Sequence, residues 1–163
     1  MILVDKDIKQ QVRSGNLILK GYQENHVNSI SYDLTIENIV LSEKEEKDCY
    51  DLKPGGIVFI KTQEQIAIPM TVLGRISEKN SRMRQGLKVD GPTYQPGHVT
   101  YAFLRVQNLS TDTIKLSAGM RIAQIIFEEL TKQPDIPYCD QKEAFFQFEE
   151  SFHEFSSYEG KDN

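Results

Sequence analysis

The chain has 163 residues, a formal net charge of −5 and 39% hydrophobic residues, which is typical of one soluble globular domain with its own core. The acidic balance disfavours broad nucleic-acid binding, and no apolar run approaches the roughly 20 residues that a membrane helix needs. The first residues carry acids where a signal peptide carries bases, and Cys49 and Cys139 lack a partner at disulfide or zinc spacing. We therefore expect a cytoplasmic protein with no metal site built from its own residues, and with neither nucleic acid nor a membrane as a partner.

The first half of the chain favours one short helix followed by strands. Val4, Ile8 and Val12 share a helical face, with Asp5 as the expected N-cap and Gly15 as the stop. Strands are predicted over residues 17–19, 29–36, 57–60 and 64–68, and a charged loop over 43–48.

The second half continues as short strands separated by turns. Strands are predicted over residues 86–90, 99–107, 113–116 and 120–127, with turns over 91–97 and 117–119. This pattern indicates an all-β barrel or sandwich. From Gln133 onward, acids alternate with Phe and Tyr. We therefore expect a β domain over residues 1–132 and an acidic, aromatic C-terminal arm over 133–163, which folds over its own subunit or over a neighbour.

A basic segment, residues 79–84, stands out in this acidic chain. It carries Lys79, Arg82 and Arg84, with Asn80 and Ser81 between them. Ammonium and guanidinium groups beside short hydrogen-bonding side chains suit an anionic ligand rich in oxygen, such as a phosphate chain. On composition alone, these residues could equally form the solvated start of a helix or a turn.

Several stretches, in chain order, resemble the dCTP deaminases and the related trimeric dUTP diphosphatases, and the likeness to the deaminases is closer. These stretches are residues 1–8, Ser31-Tyr32-Asp33-Leu34, residues 79–87, Pro96-Gly97 with Asn108, and residues 119–127. The resemblance implies a mainly β fold: a distorted β-barrel or jelly roll of the dUTPase-like type with a short N-terminal helix and a C-terminal arm. It also implies a homotrimer whose subunit interfaces bind a deoxynucleoside triphosphate, dCTP or dUTP, together with Mg²⁺.

The resemblance also assigns roles to individual residues. It implies that phosphates are held by Lys79, Asn80, Ser81 and Arg84. Gln124 would reach a phosphate from a neighbouring subunit, and Tyr138 would contact the ligand from the arm. From the residues alone, Gln124 could instead be an outward polar residue of an amphipathic strand, and Tyr138 an anchor for the arm.

The positions that carry catalysis in the family differ here. The resemblance implies a glutamate three residues before the Asn that ends the central strand, where this chain has Arg105, and the diphosphatases have an aspartate in the preceding hairpin, where it has Gln95. Neither a guanidinium nor an amide can accept a proton near neutral pH. Asp90 is the carboxylate that remains nearby, and it could be a relocated base or a turn residue.

Two functions are consistent with this pattern. The first is a nucleotide-binding or regulatory trimer that has lost its catalytic acids. The alternative is an active, divergent dCTP deaminase, which converts dCTP to dUTP and ammonia, or a dUTP diphosphatase of pyrimidine deoxynucleotide metabolism. Phe145 and Glu149 stand where the deaminases place a lysine and a glutamine over the triphosphate, which favours the first function and a protein partner for the arm.

Overall fold

The computed structural model describes residues 1–153 and shows a mainly β fold. The elements before the basic segment are α1 (Asp5–Arg13), β1 (Leu17–Lys20), β2 (Tyr32–Ser42), β3 (Glu45–Lys47), β4 (Cys49–Leu52), β5 (Ile57–Ala67) and β6 (Val72–Glu78). The elements from that segment onward are α2 (Asn80–Arg84), β7 (Leu87–Asp90), β8 (Thr93–Tyr94), β9 (Val99–Asn108), β10 (Ile114–Ser117) and β11 (Arg121–Glu129). Short 3₁₀ turns lie at Glu24–His26 and Tyr138–Asp140. The predicted mainly β fold with a short N-terminal helix is confirmed.

Within residues 1–153, nine strands form one curled, half-barrel antiparallel sheet. Its order is β7-β9-β5-β2-β11-β6-β8, with β1 beside β5 and β3 beside β2, while β4 and β10 form a separate pair. Alternate residues of the central strands point into the concave side, as a period of two requires. Fully buried members of this core include Ile36, Ile60, Leu104, Ile125 and Phe127.

The N-terminal helix packs on this core through Ile8, which is fully buried. Its N-cap is Val4, so the prediction that Asp5 caps the helix is wrong by one residue. The Val4 backbone N–H instead donates to the Asp7 carboxylate at 3.0 Å. Asp7 therefore satisfies the first donor of the helix and places a negative charge at its positive end.

Two predictions for the strands were wrong. Residues 45–47 are not part of a loop but form β3, which pairs with Ile39 and Val40 of β2. The two strands expected over 57–60 and 64–68 are one continuous strand, β5. Polar residues inside β5 find partners in the sheet: Thr62 Oγ1 donates to Glu64 O at 2.9 Å and accepts the Ala102 N–H at 3.0 Å. Because these bonds satisfy the buried hydroxyl of Thr62, the polar residues between the two apolar stretches remain part of one strand.

Residues 147–152 of the arm lie against the strand β9 of their own chain. The Phe152 ring contacts Phe59 and Phe103, with centroid distances of 4.6 and 5.8 Å. The amide of Gln147 accepts the Val99 N–H at 2.9 Å and donates to Gly97 O at 3.0 Å. Residues 154–163, the end of the predicted arm, lie outside the described residues, and the division at residue 132 stays a prediction.

Candidate functional site

The basic segment connects β6 to β7, and its first cation is anchored by a buried acid. Lys79 Nζ donates to Asp33 Oδ2 at 2.6 Å, and Asp33 is only 1% exposed. Arg121 Nη1 lies 3.4 Å from the same oxygen, while the Asn28 amide donates to Asp33 Oδ1 at 2.9 Å. Asp33 thus joins β2 to the basic segment and to the start of β11.

Gln124 lies on β11 beside the basic segment of its own chain. Its Oε1 accepts the Ser31 hydroxyl at 2.6 Å, and its Nε2 donates to Glu78 O at 3.0 Å. This pairing follows from the register of β11 with β6, in which Gln124 faces Ser77. A single chain therefore brings Gln124 next to the predicted phosphate-binding residues.

The remaining residues of the segment form the short helix α2. Arg82 is held by its neighbours, with Nε donating to Arg121 O at 2.8 Å, and burial lowers the pKa of its guanidinium. Arg84 is exposed and donates to Asn80 Oδ1 at 3.2 Å, and Ser81 is exposed as well. Exposed donors on Ser81 and Arg84 are therefore available to a ligand in solution.

Arg105 and Asp90 lie opposite one another on β9 and β7. Arg105 Nη2 donates to Asp90 Oδ2 at 3.0 Å, and Lys88 Nζ lies 3.5 Å from Asp90 Oδ1. The hydrogen bond from Arg105, followed by the charge of Lys88, holds the pKa of Asp90 below its usual value. Arg105, which the family resemblance sets at the position of the deaminase glutamate, is therefore one half of an ion pair.

An aromatic cavity of about 490 Å³ lies between β9 and the arm. Its walls come from the sheet and the hairpin before β9 on one side, and from the arm on the other. They include Phe59, Tyr101, Phe103, Tyr138, Phe146 and Phe152. Gln95 is at the rim, where its Oε1 accepts the Gln141 amide at 3.0 Å. Gln95 therefore contributes to the seating of the arm.

Tyr138 and His98 fix the arm over this cavity. Their rings stack with centroids 4.0 Å apart, the Tyr138 hydroxyl accepts the Phe146 N–H at 3.1 Å, and His98 Nε2 lies 2.9 Å from Phe146 O. Because a carbonyl oxygen can only accept, His98 Nε2 carries the proton. Burial lowers the pKa of His98 and raises that of Tyr138, so both side chains are neutral at pH 7. Gly97, with φ of +81°, makes the close approach possible, since a Cβ there would meet Cys139 Sγ at 2.8 Å.

The cavity and the basic segment differ in charge. The cavity is lined by the carboxylates of Glu143 and Glu149, and among the described residues no Lys or Arg lines it. The basic segment carries the cations. The two regions meet different parts of β9: Leu87, which follows the basic segment, pairs with Asn108 at the end of the strand, whereas Tyr101 and Phe103 of the same strand line the cavity. Each region therefore suits a different part of an amphipathic anionic ligand.

Residues 1–153 contain no cluster of three or more His, Cys, Asp or Glu side chains that could hold a metal ion. Over the same residues, every helix is too short or too polar to cross a bilayer. Sequence reasoning missed Asp33 and Arg121 as parts of the site. The signal for Asp33 was its place on the second face of an alternating strand, where a lone acid needs a partner once it is buried.

Comparison with known proteins connects these features to one family. A family model described as dCTP deaminase-like matches residues 38–130. The curated relatives include proteins named dCTP deaminase, dUMP-forming. That of Streptomyces avermitilis is 28% identical and covers 85% of this chain and 85% of the relative. That of Aquifex aeolicus is 28% identical and covers 85% of this chain and 87% of the relative.

Solved structures show the same fold. The 2′-deoxycytidine 5′-triphosphate deaminase of Agrobacterium tumefaciens matches 78% of this chain with a TM-score of 0.69 and 16% identity, and the match spans 48% of that structure. The native EIAV dUTPase matches 72% of this chain and 89% of its own with a TM-score of 0.52 and 21% identity. A dUTPase from phage phi11 of S. aureus, described with a structural Mg(II) ion, matches 71% of this chain and 86% of its own with a TM-score of 0.53 and 13% identity. The predicted dUTPase-like fold is confirmed.

Proposed function

Because this chain belongs to the dCTP deaminase-like family, we propose that it is a cytoplasmic homotrimer that binds a deoxynucleoside triphosphate, dCTP or dUTP, and has lost the catalytic acids of the family. The observation that carries this proposal is the clustering of Lys79, Ser81, Arg84 and Gln124 in one place of an otherwise acidic chain. Such a site would serve nucleotide sensing or regulation rather than turnover.

The phosphates would bind at the basic segment. Ser81 and Arg84 offer exposed donors, and a guanidinium can hold two phosphate oxygens at once. Asn80 and Gln124 lie beside them. Asn80 accepts a hydrogen bond from Arg84, and Gln124 donates one to the backbone oxygen of Glu78. The fixed neighbours would orient the charged donors and reduce the entropy cost of binding.

The base and sugar would bind in an aromatic cavity contributed by a second copy of the chain. In one chain, the cavity is lined by residues in the range 100–103 of β9, whereas the basic segment leads into β7 beside Asn108 at the end of β9, and we infer that a single nucleotide is not served by both. A cyclic arrangement that brings the cavity of one subunit to the basic segment of the next solves this problem, since a heterologous contact with a rotation of one third of a turn closes into a trimeric ring. This separation supports the proposed trimer, with Tyr138 as the arm's contact to the sugar or base.

Mg²⁺ would enter on the nucleotide. Mg²⁺ prefers carboxylate and phosphate oxygens, but Asp33 already accepts from Lys79, Arg121 and Asn28, and Glu78, which precedes the segment, accepts the Val89 N–H through Oε1. The residues present therefore fit an ion carried by the phosphates and not one held by protein carboxylates. When bound, the ion would neutralise phosphate charge, while Ser81 and Arg84 would position the phosphate chain.

The loss of chemistry rests on the two positions where the family mechanisms place a base. Arg105 is engaged with Asp90, and Gln95 is engaged with Gln141 of the arm. A positioned acid–base group typically contributes about 10²- to 10⁴-fold to a rate. Without such a group at either position, we expect bound nucleotide to be held and not converted.

Calorimetric titration of the purified protein with dCTP, dUTP and dTTP, each with Mg²⁺, tests binding. Ammonia and pyrophosphate release, measured on the same preparations, tests chemistry. The proposal requires binding of at least one triphosphate and negligible release of either product. Absence of binding by all three nucleotides would contradict it.

The alternative function is that of an active, divergent dCTP deaminase or dUTP diphosphatase. It is supported by the relatives named dCTP deaminase, dUMP-forming, and by the carboxylate of Asp90 next to the family's catalytic position. Under this alternative, the protein releases ammonia or pyrophosphate at ordinary enzymatic rates and Asp90→Asn abolishes the release. Unchanged, negligible rates in both parent and variant exclude it.

A further inference from the structure

Asp33 gathers two cations from different parts of the chain onto one oxygen. Lys79 at the start of the basic segment and Arg121 at the start of β11 both point at Asp33 Oδ2, at 2.6 and 3.4 Å. We propose that Asp33 is a positioning residue that holds Lys79 and Arg121 as a paired receptor for phosphate oxygens, so that Arg121 is a further phosphate-binding residue. This inference rests on the proposed function, because it names residues of the same site.

The acid is built into the protein, whereas the cations face solvent. Asp33 is 1% exposed, while the side chains of Lys79 and Arg121 are 25% and 40% exposed. The second oxygen of Asp33 is occupied by the Asn28 amide, which prevents the carboxylate from turning away. In an ion pair with a purely structural role in the core, the acid and the cation would both be buried. Here the acid is buried and the donors are presented.

The two cations keep hydrogen-bonding capacity for a ligand. An ammonium has three donors and a guanidinium has five, and one donor of each is used on Asp33. Among the described residues, the remaining donors of Lys79 and Arg121 have no partner. Two adjacent cations would otherwise repel and separate, so the carboxylate between them makes a close pair stable and leaves it with a net positive charge.

The surrounding hydrogen bonds make this position rigid. Arg82 Nε donates to the backbone oxygen of Arg121 at 2.8 Å, which joins α2 to the start of β11. Gln124, three residues along β11, is held by Ser31 and by Glu78 O. The start of β2, the end of β6 and the start of β11 are therefore fixed around the cation pair, as preorganised recognition of an anion requires.

The test is calorimetric titration of the full chain with dCTP and Mg²⁺, using Arg121→Gln, Arg121→Lys and Asp33→Asn. Arg75→Gln is the matched control, since Arg75 is an exposed arginine on β6 that pairs with Glu128 away from the segment. We expect Arg121→Gln to weaken dCTP binding by about tenfold or more, as for a hydrogen bond to a charged group. Arg121→Lys should restore part of the loss, and Arg75→Gln should bind like the parent.

Asp33→Asn separates positioning from net charge. This variant makes the site more positive, so net charge alone would strengthen dCTP binding, whereas loss of positioning weakens it. We expect weaker binding in folded protein, with the fold checked by circular dichroism; Arg121→Gln, at an exposed side chain, tests the proposal without that risk. Equal binding by the parent and Arg121→Gln, or tighter binding by Asp33→Asn, would overturn this inference and leave the proposed function intact. Failure of the parent itself to bind dCTP, dUTP and dTTP would overturn both.

Discussion

The buried carboxyl group of Glu64 predicts a pH-dependent stability that a single substitution should remove. Glu64 is 0% exposed on β5, and its Oε2 accepts the Thr35 N–H at 2.9 Å, while its Oε1 has no hydrogen-bond partner among the described residues. Burial raises the pKa of Glu64 from 4.5 to about 7, although the hydrogen bond from Thr35 opposes the shift. Because the folded pKa lies above the unfolded one, the contribution of this group to stability is fully present below pH 4.5 and is lost as the pH rises through 7.

At about 1.4 kcal/mol per pKa unit, this shift corresponds to roughly 3 kcal/mol of stability lost between pH 4.5 and the range above 7. Glu64→Gln keeps an acceptor for the Thr35 N–H but cannot ionise. We therefore expect the free energy of unfolding of the variant, relative to the parent, to increase by roughly 2–3 kcal/mol from pH 5 to pH 8, since part of the change already occurs below pH 5.

The assay is urea denaturation at both pH values. The protein concentration is kept constant, because the apparent stability of an oligomer depends on it. Glu129→Gln is the control, because Glu129 is an exposed residue at the end of β11. A difference between Glu64→Gln and the parent that does not change with pH would refute the reasoning. An equal pH dependence in Glu129→Gln would assign the effect to surface charge instead.

Three further outcomes test the proposed function. Light scattering at micromolar concentration should give the mass of three chains of 18.7 kDa, and a monomer would contradict the shared site. Arg84→Ala should weaken triphosphate binding by about 1.5–3 kcal/mol, because a hydrogen bond to a charged group is lost. If calorimetry shows no change, the exposed face of α2 does not contribute to the binding site. Arg105→Glu should not restore ammonia release from dCTP, because Phe145 and Glu149 would still stand where the deaminases place a lysine and a glutamine over the triphosphate; appreciable release would show that the base alone was missing.

The strands that sequence predicted are those in which one face is apolar. β9 alternates with buried Ala102, Leu104 and Val106, and its bounds follow from this period. β3 has three exposed charged residues, so its pairing with β2 leaves no hydrophobic signal. A strand that buries no apolar side chain at a sheet edge leaves no alternating hydrophobic pattern in the sequence.

The candidate site shows a similar limit. The basic segment was visible because its cations are adjacent in sequence, but Asp33 lies 46 residues from Lys79 and 88 residues from Arg121. Such a contact is fixed by the register of β2, β11 and β6, which local spacing does not encode. The resemblance to a family located Gln124 in the chain, but the strand register placed it beside the basic segment of its own chain.

The pair formed by Arg105 and Asp90 bears most directly on whether this family member retains chemistry. A general base is most effective when its pKa lies near the working pH. The hydrogen bond from Arg105 moves the pKa of Asp90 in the opposite direction, and Lys88 adds to the same effect. The residue in the glutamate position therefore does more than remove one base, because it also weakens the carboxylate that could replace it. Under the proposed function, activity would require a change at both positions, and the lowered pKa of Asp90 is consistent with a protein that binds a nucleotide without converting it.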